Sequence, residues 1–178
     1  IINNINLDIN LKTIGIFGLG RIGRELAKKS YFLGLKVAAT DIDCDVDFIN
    51  EYNISWYENL SELASNCDIL SLNSPLNNIT RGCLNKDVLK KAKKNILIVN
   101  TSRGEVVDID DLIWGLREKK ISGYLADVLD EEPIIKENPL MKFDNVLITP
   151  HIASRTYESV QRQGSMAVLN LIDLLKKY

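Results

Sequence analysis

The apolar run Ile14–Phe17 leads straight into Gly18-Leu19-Gly20-Arg21-Ile22-Gly23, and the next run, Lys36–Thr40, is closed by a carboxylate, Asp41. Few folds accept this order of strand, tight glycine turn, helix, second strand and acidic residue. Gly18 permits the turn, Gly20 lets the backbone come close to a pyrophosphate, and Gly23 lets the helix lie against the sheet. A helix opening near Arg21 points free N–H groups and the positive end of its dipole at phosphates. Asp41 stands 21 positions beyond Gly20, where a carboxylate can accept hydrogen bonds from adenosine ribose hydroxyls. A glycine turn by itself is common. Its flanking strands and Asp41 make this one a dinucleotide-binding fingerprint.

Strand-like runs at Thr13–Phe17, Lys36–Thr40, Asp68–Leu72, Asn95–Asn100, Gly123–Val128 and Asn145–Thr149 alternate with helical stretches at about 22–33, 59–66, 85–94 and 109–119. Several of the runs are continuously apolar, as strands buried on both faces must be. Asp108 is a candidate cap for the fourth helix and Gly34 a candidate stop for the first. The pattern predicts βαβ units with right-handed crossovers, an α/β fold with a doubly wound parallel sheet of the Rossmann type. The whole chain, residues 1–178, reads as a single dinucleotide-binding domain. A long irregular stretch, Leu129 to Asp144, has the length of a functional loop. The last helix, about 155–177, carries Val160, Gly164, Ala167, Val168, Leu171, Leu174 and Leu175 on one face. That stripe is covered either by this domain's own core or by a domain outside the chain.

A net charge of −2 argues against nucleic acid as a partner, and no apolar stretch approaches the ~20 residues that span a bilayer. Residues 1–11 are rich in asparagine and lack the positive start of a signal peptide. Cys44, Cys67 and Cys83 have no metal-ligand spacing and read as reduced thiols of a cytoplasmic protein. The chain does not begin with methionine, and its first strand starts only near Thr13, which suggests a piece of a longer polypeptide.

In a doubly wound sheet, ligands bind outside the carboxyl ends of the strands. Arg103, Asp127, Glu132 and His151 all fall at or just past such ends. His151 is the only histidine, the side chain best suited to general acid/base work near neutral pH. Glu132 can accept a hydrogen bond from one ring nitrogen and leave the other to act as the acid; standing alone, it would read as a surface loop acid. Arg103 can clamp a substrate carboxylate with its planar fork, or be an exposed loop arginine. Asp127 either bonds a nicotinamide carboxamide or caps the adjoining loop.

Together these motifs resemble the D-isomer-specific 2-hydroxyacid dehydrogenases, from about Leu11 to Leu175. The resemblance rests on Gly18 to Gly23, Ser74-Pro75-Leu76 with Thr80-Arg81-Gly82, Asn100-Thr101-Ser102-Arg103-Gly104, Ala126-Asp127-Val128 through Glu132-Pro133, and Thr149-Pro150-His151. It implies an NAD-dependent enzyme acting on a small 2-hydroxy or 2-keto acid, of the phosphoglycerate or glycerate dehydrogenase type. Arg103 would bind the substrate, His151 would protonate the carbonyl oxygen and Glu132 would raise the basicity of the histidine. Cofactor contacts would come from Gly18, Gly20, Arg21, Ile22, Gly23, Asp41, Asn73, Pro75, Thr101, Ser102, Asp127 and Ala153. Many relatives carry histidine where Asn73 stands, so a changed cofactor contact is expected there. Asp41, reinforced by Asp43, Asp45 and Asp47, selects NAD over its 2′-phosphorylated form. The resemblance further implies a homodimer of the full-length protein. It also implies a substrate domain built from the segment before the fingerprint and from the C-terminal end. The alternative reading is an NAD(H)-sensing binding protein like the corepressors related to these dehydrogenases. A methyltransferase with a glycine-rich first loop is disfavoured by the third glycine and by the Arg, Glu and His set.

Overall fold

The computed structural model describes residues 9–177, so the asparagine-rich start read for a signal sequence lies largely outside it. The strands are β1 (Thr13–Phe17), β2 (Lys36–Thr40), β3 (Ser55–Trp56), β4 (Ile69–Leu72), β5 (Ile96–Asn100), β6 (Ile121–Ala126) and β7 (Val146–Ile148). Interleaved with them are α1 (Arg21–Phe32), α2 (Val46–Glu51), α3 (Leu60–Asn66), α4 (Lys86–Lys91), α5 (Ile109–Arg117) and, at the end, α6 (Tyr157–Leu175). The strands form one parallel sheet in the order β3-β2-β1-β4-β5-β6-β7, the Rossmann arrangement expected, extended by one strand. The order reverses at β1, so the glycine turn leaves the sheet at its topological switch point.

Both faces of the sheet are buried. One core gathers Ile14, Ile16, Ala27, Val37, Ala39 and Phe48; the other gathers Ala38, Leu63, Leu70, Ile98, Leu112 and Tyr124. Consecutive residues Val37, Ala38 and Ala39 of β2 alternate between the two cores, as pleated geometry requires. A Cβ on Gly15 of β1 would come within 2.7 Å of the Cys67 Sγ, so α3 packs here against bare backbone.

Several boundaries differ from the sequence reading. The run expected at Gly123–Val128 pairs over Ile121–Ala126 instead, which moves Asp127 out of the strand and into the loop above it. The short β3 and α2 were not expected. Asp108 does cap α5, accepting a bond from Asp111 N at 3.1 Å, and Gly34 follows the Leu33 C-cap of α1. α6 begins at Tyr157, and no residue of it is buried against the rest of the described chain. Of the two coverings open for its apolar stripe, packing on this domain's own core is therefore not the one observed.

Candidate active site and dinucleotide cleft

The helices α2, α3, α4, α5 and α6 each begin with a side-chain cap, from Asp45, Asn59, Asn85, Asp108 and Thr156 respectively. α1 has none. Its first N–H groups are left for a ligand, as a phosphate-binding helix start requires. Gly18 adopts φ +98°, and a Cβ there would strike the Ser74 backbone N at 2.6 Å. A Cβ on Gly23 would lie 2.1 Å from the Gly18 carbonyl oxygen, so the helix rests directly on the turn. At Gly20 a Cβ would meet nothing within 4 Å. Packing among the described residues does not require glycine at that position, and its absence of a Cβ leaves the backbone open to close approach. Beside the turn, the Ser74 hydroxyl is the one buried side-chain polar atom of the described residues with no hydrogen-bond partner. These features fit a dinucleotide.

Asp41 ties the turn to the end of β2. Its Oδ2 accepts from Leu19 N at 2.5 Å and its Oδ1 from Ile42 N at 2.6 Å. Each carboxylate oxygen keeps further acceptor capacity toward solvent, where ribose hydroxyls would approach. Arg21 and Ile22 are exposed on the first turn of α1. Asn73 donates through Nδ2 to the Ser71 hydroxyl at 3.0 Å, and the exposed Pro75 offers its carbonyl to the Thr80 hydroxyl at 2.6 Å. Thr101, Asp127 and Ala153 meet around a small cavity of about 160 Å³ above β5, β6 and β7. Ser102 stands apart from this group. It is buried, and its hydroxyl donates to Asn100 Oδ1 at 3.0 Å, so it shapes the loop from within.

Past the ends of β6 and β7, His151 Nδ1 and Glu132 Oε2 lie 2.8 Å apart, which brings together two residues separated by 19 positions. The other Glu132 oxygen accepts from Leu129 N at 2.9 Å, which fixes the carboxylate. That amide and the histidine hold the Glu132 carboxyl below its ordinary 4.5. Nε2 of His151 makes no hydrogen bond among the described residues. The pair borders a cavity of about 500 Å³, within the usual range for small-molecule sites, together with Leu129, Ile148 and Arg155. Side-chain exposures of 48% for His151 and 37% for Glu132 mean that the pair adds little to stability. It serves to orient the imidazole.

The Arg103 loop packs beside the loop that leads to Glu132, but Arg103 itself is not among the residues that line the cavity beside Glu132 and His151. Asn100, fully buried, accepts from Ser102 N and donates to the Arg103 carbonyl at 3.0 Å and to the Tyr124 hydroxyl at 3.3 Å. Arg103 Nη1 is folded back onto the Ser102 carbonyl at 2.6 Å. A Cβ on Gly104 would overlap the Leu129 carbonyl carbon at 1.9 Å, so the arginine loop and the loop leading to Glu132 touch backbone to backbone. Asn100 and Gly104 were visible in the sequence only as motif members; their work depends on contacts across the sheet. The cysteines stand outside this chemistry. Burial pushes the Cys67 thiol up to about 12 and the Cys83 thiol up to about 11.

A pH prediction follows from the pair. Because the folded-state pKa of Glu132 is depressed, its carboxylate stays ionised as pH falls through 4.5, and what its charge contributes is lost only as pH falls through the lower folded value. The ring protons of the single histidine should therefore show an extra inflection below 4.5 in an NMR titration, absent in Glu132→Gln. Identical curves for the two proteins would dissolve the pair.

Residues 3–153 match the family described as D-isomer specific 2-hydroxyacid dehydrogenase, NAD binding domain. Glyoxylate reductase from Thermofilum pendens is 41% identical over 165 residues, covering 93% of this chain and 49% of that protein. Hydroxypyruvate reductase from Blautia hydrogenotrophica is 38% identical over 170 residues, covering 96% of this chain and 52% of that protein. The NAD-complexed D-isomer specific 2-hydroxyacid dehydrogenase from Lactobacillus delbrueckii ssp. bulgaricus superimposes with a TM-score of 0.86 at 29% identity, covering 97% of this chain and 56% of that one. The chain thus spans about half the length of the curated relatives it matches.

Proposed function

The chain belongs to the D-isomer specific 2-hydroxyacid dehydrogenases as an NAD-binding domain, and from that premise we propose that it works in the reduction of a small 2-keto acid to its D-2-hydroxy acid. The observation that carries the proposal is the Glu132–His151 pair, 2.8 Å apart beside a cavity at the carboxyl ends of the strands. Bound NAD(H) supplies or takes up the hydride. The α1 N-terminus and Gly18, Gly20 and Gly23 would hold its pyrophosphate, with Arg21, Ile22, Asn73 and Pro75 alongside. Asp41 would hold the adenosine ribose, and Thr101 and Ala153 would hold the nicotinamide end. Arg103 leaves the Ser102 carbonyl to take the substrate carboxylate in a two-pronged bond. His151 Nε2 would give its proton to the carbonyl oxygen of the substrate. Glu132 favours the imidazolium that makes this transfer possible.

The relatives' names, reductases of glyoxylate and hydroxypyruvate, favour an enzyme over the nucleotide-sensing alternative and suggest the substrates to try first. Free thiols at Cys44, Cys67 and Cys83 support a reducing cytoplasmic setting. The homodimer expected of the whole protein is open to sedimentation analysis. The test of function is loss of NADH absorbance on adding glyoxylate or hydroxypyruvate to the protein that carries this chain with a substrate domain. Saturable turnover is expected; no turnover with any small 2-keto acid would refute the proposal.

A further inference from the structure

One charge beside the Glu132–His151 pair is left over. Arg155 follows the histidine turn, its backbone N–H donating to the Ile152 carbonyl at 2.9 Å, and it borders the same cavity of about 500 Å³. The two carboxylates of that lining are already engaged. Glu132 accepts from Leu129 N and meets His151, while Asp127 accepts from the Thr149 hydroxyl, Ile152 N and Ala153 N. The Arg155 guanidinium, by contrast, makes no hydrogen bond and no ion pair among the described residues. The walls around it are mostly apolar, with Leu129, Ile134, Met141 and Ile148. Apolar walls with one convergent unpaired charge are what a site for a small molecule with an oppositely charged end requires.

In the proposed reaction Arg103 takes the substrate carboxylate and His151 its carbonyl oxygen, the two groups common to every 2-keto acid. What differs between such acids is the side chain on the carbonyl carbon, and it is the part left to enter this cavity. Glyoxylate has no side chain and would leave both the cavity and Arg155 unused. We infer that Arg155 is a specificity-determining residue, pairing with an anionic group at the far end of the side chain. The preferred substrates are then 2-keto acids that end in a second carboxylate or in a phosphate, their methylene groups lying against the apolar walls. This rests on the dehydrogenase reading and adds to it the class of keto acid.

In the protein with its substrate domain, 2-oxoglutarate and the phosphate ester of hydroxypyruvate are compared with hydroxypyruvate itself. At least one of the two charged acids should show a kcat/KM about 10–100-fold higher, the usual worth of a hydrogen-bonded pair to a charged group, and the larger gain tells carboxylate from phosphate. Arg155→Gln should erase that advantage, mainly through KM, and affect glyoxylate far less. Arg155→Lys should restore part of it, as a point charge without the planar fork. Calorimetry supplies a readout without turnover. Glutarate should bind the wild type more tightly than pentanoate, the same chain with one carboxylate, and no more tightly in Arg155→Gln. Equal kcat/KM for charged and uncharged side chains, or an advantage that survives Arg155→Gln, overturns the inference and leaves the dehydrogenase reading standing. A wild-type protein that reduces no 2-keto acid removes that reading, and the glutarate comparison then decides whether Arg155 takes an anion.

Discussion

Replacing His151 by alanine is expected to lower kcat for 2-keto acid reduction by about 10²–10⁴-fold, the usual worth of a positioned general acid. Affinity for NADH should hardly move, because the residues proposed to hold the dinucleotide, from the turn after β1 and Asp41 to Thr101 and Ala153, make no hydrogen bond to the imidazole. The reaction needs a proton at the carbonyl oxygen as charge builds there. Water reaches an open cleft but arrives neither oriented nor acidic enough to replace an imidazolium held by Glu132 at 2.8 Å. Steady-state kinetics beside a fluorescence titration of NADH separates the two effects. Wild-type turnover in the variant would remove His151 from the chemistry.

The second large effect concerns cofactor choice. NADH should bind this chain about 10²-fold or more tightly than NADPH, since a 2′-phosphate would meet the Asp41 carboxylate, and close like charges cost several kcal/mol. Asp43, Asp45 and Asp47 follow it in the chain with the same sign, although Asp45 is paired with Arg24 at 2.5 Å. Asp41→Ser should narrow the ratio mainly by improving NADPH. It should also weaken NADH, because Leu19 N loses the acceptor that steadies the glycine turn. Fluorescence titration with both reduced cofactors gives the numbers, and equal affinities in the wild type would take the selecting role from Asp41.

What could be read from the sequence was what is encoded locally. The glycine fingerprint, the Asp41 spacing and the Asp108 cap each concern residues a short way apart, and each turned up in its place. β3, two residues long, and α2, six residues long, are too short to display a period. The apolar run through Val128 masked the true end of β6, because ladder pairing stops at Ala126 although burial continues to Leu129. That shift puts Asp127 in the loop above the sheet, where its carboxylate accepts from the Thr149 hydroxyl and from Ile152 N and Ala153 N, as a loop-capping residue does. The Asn100 network and the Gly104 contact join β5 to β6 and to the loop above it, and no spacing along the chain announces them. The apolar face of α6 was legible as a face, while its covering was not, since amphipathicity names no partner.

Reduction at this site requires hydride to pass directly from the cofactor to the substrate carbon and one stereoisomer to form. The decisive measurement gives the protein carrying this chain with a substrate domain NADH deuterated at the transferable position, together with hydroxypyruvate, and analyses the product. The expected product is a D-2-hydroxy acid with deuterium on its hydroxyl-bearing carbon, formed far more slowly when Glu132 or His151 is replaced. An L-product, or a product without deuterium, would contradict it.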